Sequence, residues 1–233
     1  VTDRNLSAVL FDLDDTLCEY RRSSAEILRI AFDHVGVHPF FDENDYRSRY
    51  PEFVDGSETV DELRRGCFAA IAREAGVDPV VGERVADRFA TERDHGDVRL
   101  LPGARAAIDR LGQEYRLGLV TNGAPEMQRT KLAGVGLESA FDTIVFAGYE
   151  TPGKPDPTPF FRALEALDVP ASEAVHVGNS VGSDVAGAHA AGVGAVWLPD
   201  GRHRGQPEPA PDHQLDSLTE LLEPPWVSDV ALS

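Results

Sequence analysis

Beyond Leu101-Pro102-Gly103 the chain keeps to one rhythm, in which stretches of helical spacing alternate with short apolar runs. Helical stretches at 104–114, 125–134, 157–167 and 185–191 are each followed by a run, at 117–121, 143–147, 174–177 and 195–198. Runs of this length read as buried strands, and strands alternating with helices predict an α/β architecture: a doubly wound parallel sheet with helices on both faces. A further run, Ala8-Val9-Leu10-Phe11, stands near the beginning and ends directly on Asp12-Leu13-Asp14-Asp15-Thr16.

Acids in that place are informative because an open α/β sheet binds ligands beyond the carboxyl ends of its strands. Strand alternation, if it persists past Phe11, puts the Asp12 and Asp14 side chains on one side and Asp15 on the other. Two carboxylates converging there would repel without a counter-cation, and an oxygen-only site suits Mg2+ better than a transition metal. The same five residues also read as a solvated acidic turn.

The stretch from about Ser23 to Arg93 lacks strand-like runs and carries apolar residues at helical spacing, as in 25–32, with further helical stretches at 60–75 and 82–93. This predicts a helical subdomain at 18–96, inserted into a core made of 1–17 and 97–233. The segment 201–212 is rich in Pro, Gly and charge and reads as a surface loop before a helical 215–222.

Composition narrows the partners. Forty Asp and Glu against 22 Lys and Arg give a formal charge of -18, which disfavours nucleic acid and anionic membranes, both held by clustered basic groups. No apolar run approaches the roughly 20 residues needed to span a bilayer, and no secretory signal is read, so the expectation is a soluble cytoplasmic protein. Its two cysteines, Cys18 and Cys67, form no disulfide framework. Only Lys131 and Lys154 among the basic residues are lysines, and surplus acid with so little lysine resembles the proteins of salt-loving microbes.

Three more strand ends carry polar groups. The run at 117–121 closes on Thr121-Asn122-Gly123, which reads either as a helix cap or as a holder of phosphate oxygens at a helix N-terminus. Gly153-Lys154-Pro155-Asp156-Pro157 places a lysine between two prolines in an arginine-rich chain, where a compact ammonium could neutralise a carboxylate and a transferring phosphoryl group together. Val175-His176-Val177 leads into Gly178-Asn179-Ser180-Val181-Gly182-Ser183-Asp184, whose amide and carboxylate could complete a metal shell, or whose Asp could cap the following helix. His176 reads as a core histidine or as one lying behind the ligands.

The ordered set Asp12-x-Asp14-x-Thr16, Thr121-Asn122, Lys154-Pro155 and Gly178-Asn179 through Asp184 resembles the haloacid dehalogenase-like hydrolase superfamily over essentially the whole chain. The helical insert resembles the cap of its phosphoglycolate phosphatase-like subgroup. The resemblance implies a phosphatase in which Asp12 is the nucleophile forming an aspartyl-phosphate and Asp14 protonates the leaving alcohol and later activates water. It also implies that Thr121, Asn122 and Lys154 hold the phosphoryl group, and that Asp12, Asp14, Asn179 and Asp184 surround Mg2+. The expected partner is a small-molecule phosphate ester, such as phosphoglycolate, a sugar phosphate or a nucleoside monophosphate. Asp14 argues against halide release, which needs no proton. Dehalogenation of 2-haloacids and phosphonate cleavage stay as alternatives on the same scaffold, as does a catalytically weak phosphate-binding regulatory protein. The last is motivated by Asn179, which stands where such phosphatases commonly carry Asp and removes a negative charge from the metal shell.

Overall fold

A computed structural model of the chain describes residues 6–53, 59–93, 96–201 and 205–222. The chain forms two compact units, one from Val1–Glu19 with Val98–Ser233 and the other from Tyr20–Asp97.

The first unit is a six-stranded parallel sheet. Its elements are β1 (Ala8–Phe11), β4 (Arg116–Asn122), β5 (Thr143–Ala147), β6 (Ala174–Gly178), β7 (Gly194–Trp197) and β8 (His213–Gln214), in the spatial order β5-β4-β1-β6-β7-β8. A separate two-stranded ribbon, β2 (Cys18–Tyr20) with β3 (Val98–Leu100), lies where the chain leaves this unit and returns to it. The ribbon is too short to leave a periodic trace in the sequence, and the alternation reading does not include it.

Strand β1 sits between β4 and β6, with Leu10 in register with Gly118 on one side and His176 on the other. From β1 the strand order runs outward in both directions, which makes its carboxyl end the topological switch point where an open sheet leaves a crevice. Alternation splits β1 between two cores. Val9 and Phe11 join Leu119, Val177 and Val196 under α5 (Ala104–Leu111) and α6 (Pro125–Gly134). Ala8 and Leu10 join Val120, Ala195 and Trp197 under α7 (Thr158–Leu167) and α8 (Ala186–Ala190). Both faces are therefore covered, and β1 reads as a continuous apolar run because neither face of it meets water.

Two boundaries differ from the sequence expectation. Helix α8 is preceded by a wide π-helical turn, Val181–Val185, that carries Asp184. The expected helix at 215–222 is instead a strand end at Gln214 and a 3-10 turn at Leu218–Leu222, whose Leu218 and Leu221 plug the core against α5. The expected loop at 201–212 has no regular element at 205–212, and 202–204 lie outside the described residues.

The second unit contains α1 (Ser24–Val35), α2 (Glu43–Arg49), α3 (Val60–Glu74) and α4 (Pro79–Glu92). Capping boxes start α1 and α3, where the Ser23 and Thr59 hydroxyls accept from the Glu26 and Glu62 amides. Edge-to-face rings of Phe32, Phe41, Tyr46, Phe68 and Phe89 fill the core of this unit. Arg21, Arg22, Arg47, Arg49, Arg64 and Arg65 each face a carboxylate within the same unit.

Gly178, the last residue of β6, controls what stands beyond the strand. A Cβ there would run into the Asp184 side chain, which packs over the bare α-carbon. Gly178→Ala should lower stability by about 1–3 kcal/mol through overpacking, read as a shift in the urea midpoint at unchanged m-value.

Candidate active site

The carboxyl ends of β1, β4 and β6 and the turn after β6 border a cleft of about 580 Å³ in the first unit, lined by Asp12, Asp14, Asn122, Lys154, Asn179 and Asp184 among others. At its floor lies Lys154. Its ammonium has three hydrogens, and three acceptors take them: Asp12 Oδ1 at 2.8 Å, Asp184 Oδ1 at 2.6 Å and the Val120 carbonyl at 2.8 Å. All three donors are thus satisfied by partners from three different strand ends. Lys154 itself is placed by Asn122, whose Oδ1 accepts from the Lys154 amide at 2.9 Å and whose Nδ2 donates to its carbonyl at 3.1 Å.

Asp12 continues β1, its amide donating to Val177 O at 3.0 Å, and is buried together with Asp184 and Lys154. One ammonium cannot neutralise two buried carboxylates, and the two are not equivalent. Asp184 accepts from Lys154, from His176 Nε2 at 3.1 Å and from the Ser180 amide at 2.9 Å. Burial alone would raise it, but the Lys154 charge and the His176 contact reverse that and hold it below the ordinary carboxylate range. Asp12 has Lys154 and only a long contact with Thr16 Oγ1 at 3.3 Å. Burial, opposed by Lys154 and assisted by the Asp184 charge, pushes it up to about 7. Lys154 is itself raised: burial pulls it down, and the two carboxylates more than offset this. Burial lowers His176, which stays neutral. Its Nε2 faces an acceptor-only carboxylate and so carries the hydrogen, while Nδ1 finds no hydrogen-bond partner among the described residues. This places His176 behind Asp184, within the strand.

Asp14 lines the same cleft as Asp12 but takes different partners. The chain keeps its course through Asp12 and turns at Asp15, which takes a left-handed φ of 58°. The Asp14 carboxylate is gripped by Lys131 Nζ at 2.7 and 2.8 Å and by Gln128 Nε2 at 2.9 Å, both from α6. The turn also brings Asp15, expected to point away, onto the wall of the same cleft. Thr121 differs from expectation as well. It is fully buried, and its hydroxyl accepts from Gln128 Nε2 at 2.7 Å, so in this structure it supports the α6 contact and is absent from the cleft wall. Asn122 lines the cleft but spends its amide on the Lys154 backbone.

Sequence reasoning missed Lys131 and Gln128. They stand three residues apart on α6 and therefore share a face. The rarity of lysine that marks Lys154 applies equally to Lys131, and would have singled it out. Asp200, just past β7, was missed too, and it meets Asn179 on the cleft wall. Cys18, beside the acids in sequence, is buried with its thiol pushed up to about 12 by burial first and the Asp14 charge second, which leaves it a packed apolar group.

The donors in the cleft are oxygens of carboxylates, amides and hydroxyls, which is a hard set fitting Mg2+. Asp12 Oδ2 and Asn179 Oδ1 both turn to Thr16 Oγ1, at 3.3 and 3.5 Å, contacts too long to satisfy either fully. Among the described residues Asp12, Asp14 and Asp184 form no three-acid metal cluster: Lys154 sits between Asp12 and Asp184, and Lys131 takes Asp14.

The raised Asp12 has a thermodynamic signature. Its folded value lies above the unfolded one near 4, so its contribution to stability is present below that value and is lost as pH rises towards about 7. Metal-free wild type should accordingly lose stability relative to Asp12→Asn between about pH 4 and 7, with the difference level above that range. Urea midpoints of the two proteins across this range measure it.

A family model for haloacid dehalogenase-like hydrolases matches residues 6–192. The phosphoserine phosphatase of Thermus thermophilus is 31% identical over 93% of this chain and 98% of its own. The structure of the HAD-hydrolase YfnB of Bacillus subtilis bound to magnesium superposes with a TM-score of 0.71 at 26% identity, covering 93% of this chain and 97% of that one. A 2-haloacid dehalogenase from Pseudomonas syringae superposes with a TM-score of 0.66 at 28% identity, covering 94% and 97%. The doubly wound sheet, its acidic switch-point cleft and these matches together make the chain a member of the haloacid dehalogenase-like hydrolases, an enzyme with phosphatases among its relatives.

Proposed function

We propose that this hydrolase is a Mg2+-dependent phosphatase of small organic phosphate monoesters that works through an aspartyl-phosphate on Asp12. The observation that carries the reading is the unequal pair of acids on one cleft wall. Asp12 is buried against a fixed ammonium, while Asp14, two residues on, keeps a side chain 35% exposed. Six carboxyl residues and one ammonium line the cleft, a field that would repel a phosphate dianion. When bound, Mg2+ supplies the positive charge that admits the phosphate and stabilises the transferring group. Asp12 and Asn179, both on the cleft wall, would hold it.

An oxygen of Asp12 attacks phosphorus, the bond from phosphorus to the ester oxygen breaks, and its electron pair leaves on that oxygen. Asp14 gives the departing alkoxide a proton. Water then attacks the aspartyl-phosphate, the bond from phosphorus to Asp12 breaks, and Asp14 takes the proton of the water, restoring both acids. Lys154 holds Asp12 at the switch point throughout, and its charge limits repulsion between Asp12 and the incoming anion. Lys131 and Gln128 keep Asp14 beside the cleft. The helical unit at 20–97 is the inserted segment left to select the organic half of the ester, as a cap.

Asp14 separates phosphate transfer from halide release, because halide departs without a proton. Asp12→Asn, or chelation of Mg2+, should abolish hydrolysis of 4-nitrophenyl phosphate while the circular dichroism spectrum is retained. Asp14→Asn should cost about a hundredfold or more on an alkyl phosphate, and less on the nitrophenyl ester, whose leaving group needs little protonation. Turnover surviving in Asp12→Asn, or metal-independent halide release from a 2-haloacid, would overturn the assignment.

A further inference from the structure

Asn179 raises a question of orientation that a carboxylate in its place would not. An amide has an oxygen end that accepts and a nitrogen end that only donates, so it can face a cation in just one of its two rotations. In the structure Asn179 Nδ2 donates to Asp200 Oδ2 at 2.8 Å, while Oδ1 turns to Thr16 Oγ1, which also contacts Asp12. An ionised carboxylate can only accept, so Asp200 selects the nitrogen and thereby sends the oxygen towards Asp12. The Asn179 backbone is held from the same side: Trp197 Nε1 donates to Asn179 O at 2.8 Å, and the Leu198 amide donates to Gly178 O at 2.9 Å. The end of β7 thus fixes both the main chain and the side chain of Asn179.

We propose that Asp200 is a positioning residue that locks the Asn179 amide with its carbonyl oxygen towards the Mg2+ site. The proposal rests on the reading of the cleft given above and adds a residue that acts through Asn179. Asp200 does this work because its carboxylate only accepts: a residue at 200 that can also donate loosens the choice of rotation, and one that offers no partner abolishes it.

Calorimetric titration of Mg2+ into metal-free wild type, Asp200→Ala and Asp200→Asn tests this. Removing the partner that orients a ligand typically weakens metal binding by tenfold or more, so Asp200→Ala should weaken Mg2+ by at least about tenfold. Asp200→Asn should weaken it by a smaller factor, because its amide can accept from Asn179 Nδ2 or donate to Asn179 Oδ1 and so no longer selects one rotation. In an Asn179→Asp background, where the ligand has no wrong way round, Asp200→Ala should cause no weakening. A readout free of metal accompanies these. The side-chain amide resonances of Asn179, assigned by their loss in Asn179→Asp, should shift and exchange faster in Asp200→Ala. Weakening by Asp200→Ala that persists in the Asn179→Asp background, or Asn179 resonances untouched by Asp200→Ala, overturns the proposal while leaving the Mg2+ reading intact. A wild type that binds no Mg2+ overturns that reading and this one with it, and the wild-type titration alone identifies that case.

Discussion

The bond that the rest of the site depends on is the threefold contact of the Lys154 ammonium with Asp12, Asp184 and the Val120 carbonyl. It ties together the ends of β1, β4 and β6, the strands that meet at the switch point. A buried charge is tolerated only when paired and fully hydrogen-bonded, and each hydrogen of this ammonium has a partner. The arrangement still leaves one more buried carboxylate than ammonium. Asp184, with more donors around it, keeps the negative charge, and the imbalance falls on Asp12. A group in that condition gains from an added cation, which links the electrostatics of the cleft to the proposed metal chemistry.

Much of the frame was legible in the chain because burial on both sheet faces writes itself as uninterrupted apolar runs. Ala8–Phe11 and Thr143–Ala147 coincide with their observed strands, and the order of elements predicts the parallel sheet. Legibility failed where periodicity stopped. Alternation was extended two residues past β1, but Asp15 adopts a left-handed conformation and Asp14 swings to α6. Only the tertiary packing of α6 on the sheet determines that Lys131 is there to receive it. Likewise Thr121 and Asn122 are recognisable as polar residues at a strand end, yet which partner each takes depends on Gln128 and on the Lys154 backbone, contacts 7 and 32 positions away along the chain.

The two lysines repay attention together. Both are buried, and each pairs with one of the two acids that open the motif: Lys154 with Asp12, Lys131 with Asp14. Arginine serves the described ion pairs of the helical unit, where a long planar fork loses little by being half in water. At the cleft the requirement is different. Three acceptors converge on Lys154 from three directions around a point, which suits the three tetrahedral hydrogens of an ammonium better than the planar fork of a guanidinium. In a chain that otherwise uses arginine for positive charge, the positions that keep lysine are those where geometry excludes the alternative, and residue rarity becomes a physical pointer to the site.

The same contrast between symmetric and directional groups runs through the remaining polar residues. Asp12, Asp14 and Asp184 accept from any side, so their neighbours set only their charge and rotamer. Asn122 and Asn179 have a donor end and an acceptor end, and each has a contact at both: Asn122 on the Lys154 peptide, Asn179 on Asp200 and, at 3.5 Å, on Thr16, whereas Gln128 has its nitrogen among Asp14, Thr121 and the Asn122 carbonyl and its oxygen without a hydrogen-bond partner among the described residues. Replacing a carboxylate by an amide in such a cleft lowers the local negative charge, which eases approach of a phosphate, but it makes orientation a property that some other residue must supply. That trade binds the loop after β6 to the end of β7, two segments that a charge count alone would treat as independent.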